Sequence, residues 1–191
     1  MTVSREEAAK ALEDVSQASD RIVTLKGYNQ AAPHFIIWGL VWLVANTVTQ
    51  FWPAQSDWAW GPGIVIGMIA SAATGVIQSR GIKPGAPSSF DATTAQRIGL
   101  TSLVSLAFIA CLIFISRPET SRETNAMISI FFPFMYMGSG IWAGRRLFAI
   151  GLVTAAGIMA GFIWIDEYYL LWMGLFGGGS LIAGGLWLRS A

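Results

Sequence analysis

The sequence predicts an all-α fold: a polytopic membrane protein with a six-transmembrane-helix bundle and a short N-terminal cytoplasmic helix. Hydrophobic residues make up 54% of the chain and charged residues only 12%, which is far more apolar than a soluble domain of this size. The apolar residues also fall into six blocks, each near the length that a helix needs to cross a bilayer. These blocks cover residues 33–52, 58–78, 98–115, 126–142, 147–165 and 168–188.

The blocks occupy most of the chain, so we expect one transmembrane domain over residues 33–191, preceded by a cytoplasmic juxtamembrane helix and linker over residues 1–32. Within the first segment, Ser4 and Glu7 have the capping-box spacing, and apolar residues recur at steps of three and four. This apolar stripe consists of Ala8, Ala11, Leu12, Val15, Ala18, Ile22 and Leu25. Gly27 and Pro33 predict that the helix over residues 4–26 ends before the first span.

The N-terminal helix is predicted to bind protein rather than lipid. Its four basic and five acidic side chains leave it near neutral, whereas helices that bind anionic lipid are usually basic. Its partner would be the chain's own cytoplasmic loops, the same helix of another copy, or a different protein. The Gly-, Pro- and Ser-rich loop over residues 79–97 is either a second docking surface or a solvated linker.

The first span has one polar and aromatic face. At about 100° per residue, one side of the helix carries His34, Trp38, Trp42, Asn46 and Thr49, and the opposite side is aliphatic and suited to lipid. In the fourth span Pro133 should kink the helix near Ser129 and redirect Tyr136. The candidate ligand-binding residues, in a pocket between helices, are His34, Trp38, Trp42, Asn46, Pro133 and Tyr136. The alternative is that such polar residues only hydrogen-bond to neighbouring helices.

The second span has small residues at every fourth position: Gly63, Gly67, Ser71 and Gly75. Such glycine-zipper stripes let another helix approach closely, so these four are candidate helix-packing residues. The sequence leaves open whether the partner helix belongs to the same chain or to a second copy in a homo-oligomer.

Several classes of function are disfavoured by what the spans lack. No Asp, Glu, Lys or Arg lies in the middle of any of the six spans, whereas transporters and membrane enzymes usually place such residues there. The single His and single Cys predict no metal site, and we expect no catalytic residues, no cofactor and no nucleic-acid partner. An enzyme that works at the outer interface through Asp57, Glu119, Asp166 or Glu167 stays a distant alternative.

The charge distribution predicts the orientation. With the N-terminus inside, ten of the twelve Lys and Arg residues lie on the cytoplasmic side, and only Arg117 and Arg122 lie outside. We therefore expect a multi-pass protein of the plasma (inner) membrane with both termini in the cytoplasm. The predicted function is that of a non-enzymatic accessory, scaffold or regulatory protein in the lipid bilayer, which docks a protein partner through the N-terminal helix and the 79–97 loop. The alternative is a passive binder or permeation protein for an apolar or neutral small molecule.

Overall fold

The all-α prediction is confirmed. The computed structural model describes residues 5–80 and 92–191, and throughout this part of the chain the regular structure is helical. The helices are α1 (Arg5–Phe51), α2 (Ser56–Arg80), α3 (Ala92–Ser116), α4 (Ser121–Ala143), α5 (Arg145–Trp164) and α6 (Tyr169–Arg189). Five of them are long and apolar enough to cross a membrane, and the apolar part of α3, Leu103–Ser116, is shorter. By length and composition this is a helical membrane protein.

Helix α1 is one continuous helix of 47 residues, so the predicted end of the N-terminal helix at Gly27 is wrong. A glycine inside a helix costs about 1 kcal/mol and a proline about 3 kcal/mol, which is why Gly27 and Pro33 predicted a break. Tertiary packing offsets this cost, because Tyr28 and Ala32 are buried in the main core of the protein. The linker expected before residue 33 is therefore a packed part of α1.

The predicted bounds of the 79–97 loop are wrong at both ends. Ser79 and Arg80 belong to α2, and residues 92–97 belong to α3. The rest of this loop, and the predicted Ser4 cap of α1, lie outside the described residues. A capping box does occur at the start of α4, where Thr120 and Glu123 each accept a hydrogen bond from the other's backbone N–H.

Helices α1 and α6 touch through their backbones. A Cβ added to Gly178 would lie 2.6 Å from the carbonyl oxygen of Gly39, and one added to Gly39 would lie 2.7 Å from that of Gly178. Helix α6 passes this contact in a wide π-helical segment, Met173–Gly178, in which three of six residues are glycine. Gly174 and Gly185 also face α1, so α1 packs along the glycine-rich side of α6 from Gly174 to Gly185.

The small-residue stripe of α2 packs on α1 at Gly63 and Gly67. A Cβ added to Gly67 would lie 3.3 Å from Val41 and 3.4 Å from the ring of Trp38, and one at Gly63 would lie 3.4 Å from Val41. The neighbours are thus side chains of α1 and not another backbone. A Cβ at Gly75 would meet open space, so α1 does not occupy the whole stripe.

The two ends of the bundle differ in charge and are named accordingly. The basic end holds the α4–α5 turn, where the guanidinium of Arg146 donates to the carbonyl of Trp187 (2.5 Å) and lies over its ring, while its backbone N–H donates to the Tyr28 hydroxyl (3.2 Å). Gly144 is the single residue between α4 and α5 and has φ +118°. The acidic end holds the α1–α2 turn, the 117–120 loop and the α5–α6 turn, with Asp57, Glu119, Asp166 and Glu167.

Candidate functional site

A cleft of about 590 Å³ opens at the acidic end, between α1, α2 and α4. Its lining combines two tryptophan rings, aliphatic side chains, hydroxyl groups, one amide and two carboxylates. The lining residues are Trp42, Thr49, Ser56, Asp57, Trp60, Ile64, Pro118, Glu119, Thr120, Ser121, Thr124, Asn125, Ile128, Ser129 and Leu170. This volume is in the range of known small-molecule sites, about 300 to 1,000 Å³.

The inner wall of the cleft is a buried hydrogen-bond network. The side chain of Asn46 is fully buried (0% exposed); its Nδ2 donates to the carbonyl of Trp42 (3.0 Å), and its Oδ1 accepts from Asn125 Nδ2 (2.7 Å). Ser129 Oγ donates to Asn125 Oδ1 (3.3 Å). An unpaired amide in a membrane interior is costly, so this network holds α1 and α4 together.

Asn125 and Ser129 keep hydrogen-bonding capacity on the cleft side. An amide nitrogen has two hydrogens, and only one of those on Asn125 is used within this network. A hydroxyl can accept as well as donate, and Ser129, which is 3% exposed, only donates. Both residues line the cleft, so the inner wall has one unused amide hydrogen and unused acceptor lone pairs for a bound molecule.

The side wall of the cleft is fixed by Thr49 of α1. Its hydroxyl donates to the carbonyl of Ala45 (2.7 Å) and accepts from the indole N–H of Trp60 (3.1 Å). The hydroxyl of Ser56 lies 3.2 Å from the same oxygen. These contacts hold the Trp60 ring of α2 in one orientation beside the cleft.

The rim next to the cleft is tied to α5 and α6. Arg122 of α4 forms an ion pair with Asp166, donates to the carbonyl of Phe162 and lies 4.8 Å from the Phe162 ring. Gln50 of α1 donates to the carbonyl of Glu167 (2.8 Å) and accepts from the backbone N–H of Leu171 (3.2 Å). The ends of α1 and α4 that border the cleft are therefore both anchored to the α5–α6 turn.

The structure brings only part of the predicted ligand set to this cleft. Trp42 lines it, and Asn46 lies behind its inner wall, bonded to Asn125. The other four residues lie elsewhere: Trp38 packs on Gly67, Tyr136 packs at a tilt on Phe35 with ring centroids 4.6 Å apart, Pro133 faces Gly151 and His34 is half-buried. Helix α4 continues through Pro133, and the cleft lies on the acidic side of that residue.

Several lining residues were missed from the sequence. Asn125 and Ser129 are four residues apart, a spacing that places two side chains on one face of a helix. This polar pair at the start of the fourth apolar block is the sequence feature from which the two residues could have been predicted to line a site. Nothing in the local sequence marks Trp60, which reads as one of several interfacial tryptophans.

The apolar stripe of α1 is the second candidate surface. Leu12, Val15 and Ile22 are 72%, 67% and 65% exposed, and the described residues from Arg5 to Val23 are exposed apart from Ala8, whose side chain is not described. Nothing in the described part of the chain covers these three side chains. Packing of this segment on the described part of the bundle is thus ruled out for the stripe up to Ile22.

Comparison with protein-family models, curated proteins and solved structures found no match. Within residues 5–80 and 92–191, no group of three or more His, Cys, Asp or Glu side chains is placed to hold a metal ion. The two surfaces are therefore interpreted from their own geometry and chemistry.

Proposed function

We propose that this protein is a non-enzymatic accessory or scaffold protein of the plasma (inner) membrane, which docks an amphipathic helix of another protein along the apolar stripe of α1. The observation that carries the proposal is the exposure of Leu12, Val15 and Ile22 on a helix that continues directly into the bundle. Large apolar side chains in a row on a helix are the usual contact points of helix–helix recognition.

The spacing of the stripe supports a helix as the occupant. Ala8, Val15 and Ile22 are seven residues apart, and Ala11, Ala18 and Leu25 follow each of them by three. These are the first and fourth positions of a heptad repeat, the pattern by which two helices pack side by side. The segment is near neutral in charge, which disfavours a lipid surface.

The flanking charges favour a different protein over a second copy. In a parallel pair of copies in one membrane, Arg21 of one helix would face Lys26 of the other, and Asp14 would face the uncharged Ser19. No opposite charges meet in that arrangement, and the Arg21–Lys26 contact, which occurs twice in a symmetric pair, is repulsive. A helix with acidic side chains at the level of Arg21 and Lys26 removes this repulsion.

Photo-cross-linking in the intact membrane tests the docking proposal. A cross-linking amino acid at Val15 should capture one partner protein, whereas the same group at Glu13, on the opposite face, should not. Ile22→Glu should reduce the Val15 cross-link at least tenfold without lowering the thermal stability of the bundle, since Ile22 is exposed. Cross-links only between copies of this chain, only to lipid, or equal at both positions would overturn the proposal.

The orientation is part of the same proposal, because the stripe must face the cytoplasm to meet a cytoplasmic partner. A fluorescent protein fused after Ala191 should be fluorescent, and a phosphatase that works only in the periplasm should be active when fused after Glu119. The matched control is the same phosphatase after Ala191, which should be inactive. The reverse pattern of phosphatase activity would contradict both the orientation and the docking proposal.

A second function, the binding of a small molecule, is favoured by the cleft. A volume of about 590 Å³ beside spare hydrogen-bonding groups on Asn125 and Ser129 is more than packing between helices requires. This function is independent of the docking helix.

A further inference from the structure

We infer that the cleft at the acidic end binds a small organic cation, an amine with an apolar body. This inference rests on the second proposed function and names its class of ligand. The site is the open cleft between α1, α2 and α4, and its lining determines which charge, shape and polar groups are accepted.

The charge of the lining selects against anions. Asp57 and Glu119 are the charged residues among those that line the cleft, and no Lys, Arg or His is among them. Two basic side chains lie near the cleft: Arg122 is paired with Asp166 and the carbonyl of Phe162, and Arg117, which precedes Pro118, lies over the ring of Phe114. A positive ligand therefore meets two carboxylates and no basic side chain in the lining of the cleft.

The walls suit the apolar body of such a ligand. Trp42 and Trp60 contribute indole rings from α1 and α2, and Ile64, Ile128 and Leu170 contribute aliphatic surface. Indole rings attract ammonium groups through their electron-rich faces as well as packing against apolar groups. Because the indole N–H of Trp60 is bonded to Thr49, that ring is already ordered before a ligand arrives.

The inner wall adds a polar anchor. The spare amide hydrogen of Asn125 and the free lone pairs of Ser129 lie at the buried side of the cleft, whereas Asp57 and Glu119 are exposed. A cation that reaches the carboxylates with its ammonium group thus has a hydrogen-bonding partner available on the inner wall. This gives the cleft two chemically different sides, which orients a molecule with one charged group.

Isothermal titration of the purified full-length protein with three matched probes tests the inference. The probes are 2-phenylethylammonium, its neutral analogue 2-phenylethanol and the anion phenylacetate. We expect the ammonium ion to bind about tenfold more tightly than the alcohol, and the anion to bind weakest. The double substitution Asp57→Asn and Glu119→Gln should remove the preference for the ammonium ion and leave the affinity for the alcohol unchanged.

Glu167→Gln is the matched control, because Glu167 is an exposed carboxylate of the same end that does not line the cleft. It should leave all three affinities unchanged. Equal binding of the ammonium ion and the alcohol, or a preference that survives the double substitution, would overturn the inference while small-molecule binding itself stands. If none of the three probes binds, the inference and the second proposed function both fail, and the docking proposal is unaffected.

Discussion

Replacing Gly144 with alanine is expected to cost about 3 kcal/mol or more of stability, because the turn between α4 and α5 has a backbone that only glycine adopts easily. Gly144 has φ +118° and ψ 154°, and an added Cβ would overlap the hydroxyl of Tyr28. That hydroxyl accepts a hydrogen bond from the backbone N–H of Arg146, so the overlap also disturbs the contact between α1 and the α4–α5 turn. Thermal unfolding of the purified variant, followed by size-exclusion chromatography in detergent, measures the loss.

Gly138→Ala, in the helix that ends just before Gly144, is the matched control, since a Cβ there would meet nothing within 4 Å. Alanine is the better helix former, so this variant should be as stable as the natural protein or slightly more stable. Introducing Tyr28→Phe beside Gly144→Ala removes the overlapping hydroxyl and leaves the backbone strain together with the close approach to Thr24 Cγ2 and the ring carbon Cζ of residue 28, each 2.8 Å from the added Cβ. Equal stability of the Gly144 and Gly138 variants would show that the turn tolerates a side chain.

Gly178→Ala should separate α6 from α1, whereas Gly179→Ala, one residue further on, should not. A Cβ on Gly178 would lie 2.6 Å from the carbonyl oxygen of Gly39 and 2.8 Å from the backbone nitrogen of Leu43, and backbone atoms cannot move aside as a side chain can. The expected loss is about 1 to 3 kcal/mol. A Cβ on Gly179 would meet open space.

The same detergent unfolding assay measures the stability of the Gly178→Ala and Gly179→Ala variants. Gly178→Ala should also alter the cleft. Gly174 lies against Asn46 and Thr47, so a displaced α6 should also disturb the Asn46–Asn125 bond that forms the inner wall. Equal midpoints of unfolding for the two alanine variants would contradict the close backbone contact.

The helices were predictable from the sequence because apolar length is a local property that composition reveals directly. The continuity of α1 was not, because Gly27 and Pro33 are local signals for a break and the packing of Tyr28 and Ala32 that overrides them is tertiary. The same reason explains why the partner of the α2 stripe could not be assigned before Gly67 was seen against Trp38.

The cleft residues that could be predicted are those whose position follows from the periodicity of a single helix. Trp42 and Thr49 share a face of α1 with Asn46, and all three lie at or behind the cleft. The crossing angles of the helices determine which faces of α2 and α4 lie against that face of α1. Trp60, Asn125 and Ser129 were therefore not predicted as site residues. Tyr136 was predicted as a ligand-binding residue because it lies close to Pro133 in the sequence, but its ring packs on Phe35.

The unbroken course of α1 sets the distance between the two candidate surfaces. The exposed arm from Arg5 to Val23 and the residue that orders the Trp60 ring, Thr49, belong to the same helix. Inside the bundle this helix is held along its length, because Ala32, Gly39 and Asn46 all lie against α6. A partner bound at Val15 is therefore kept ~51 Å along the helix axis from Thr49, at 1.5 Å per residue, and docks well away from the cleft.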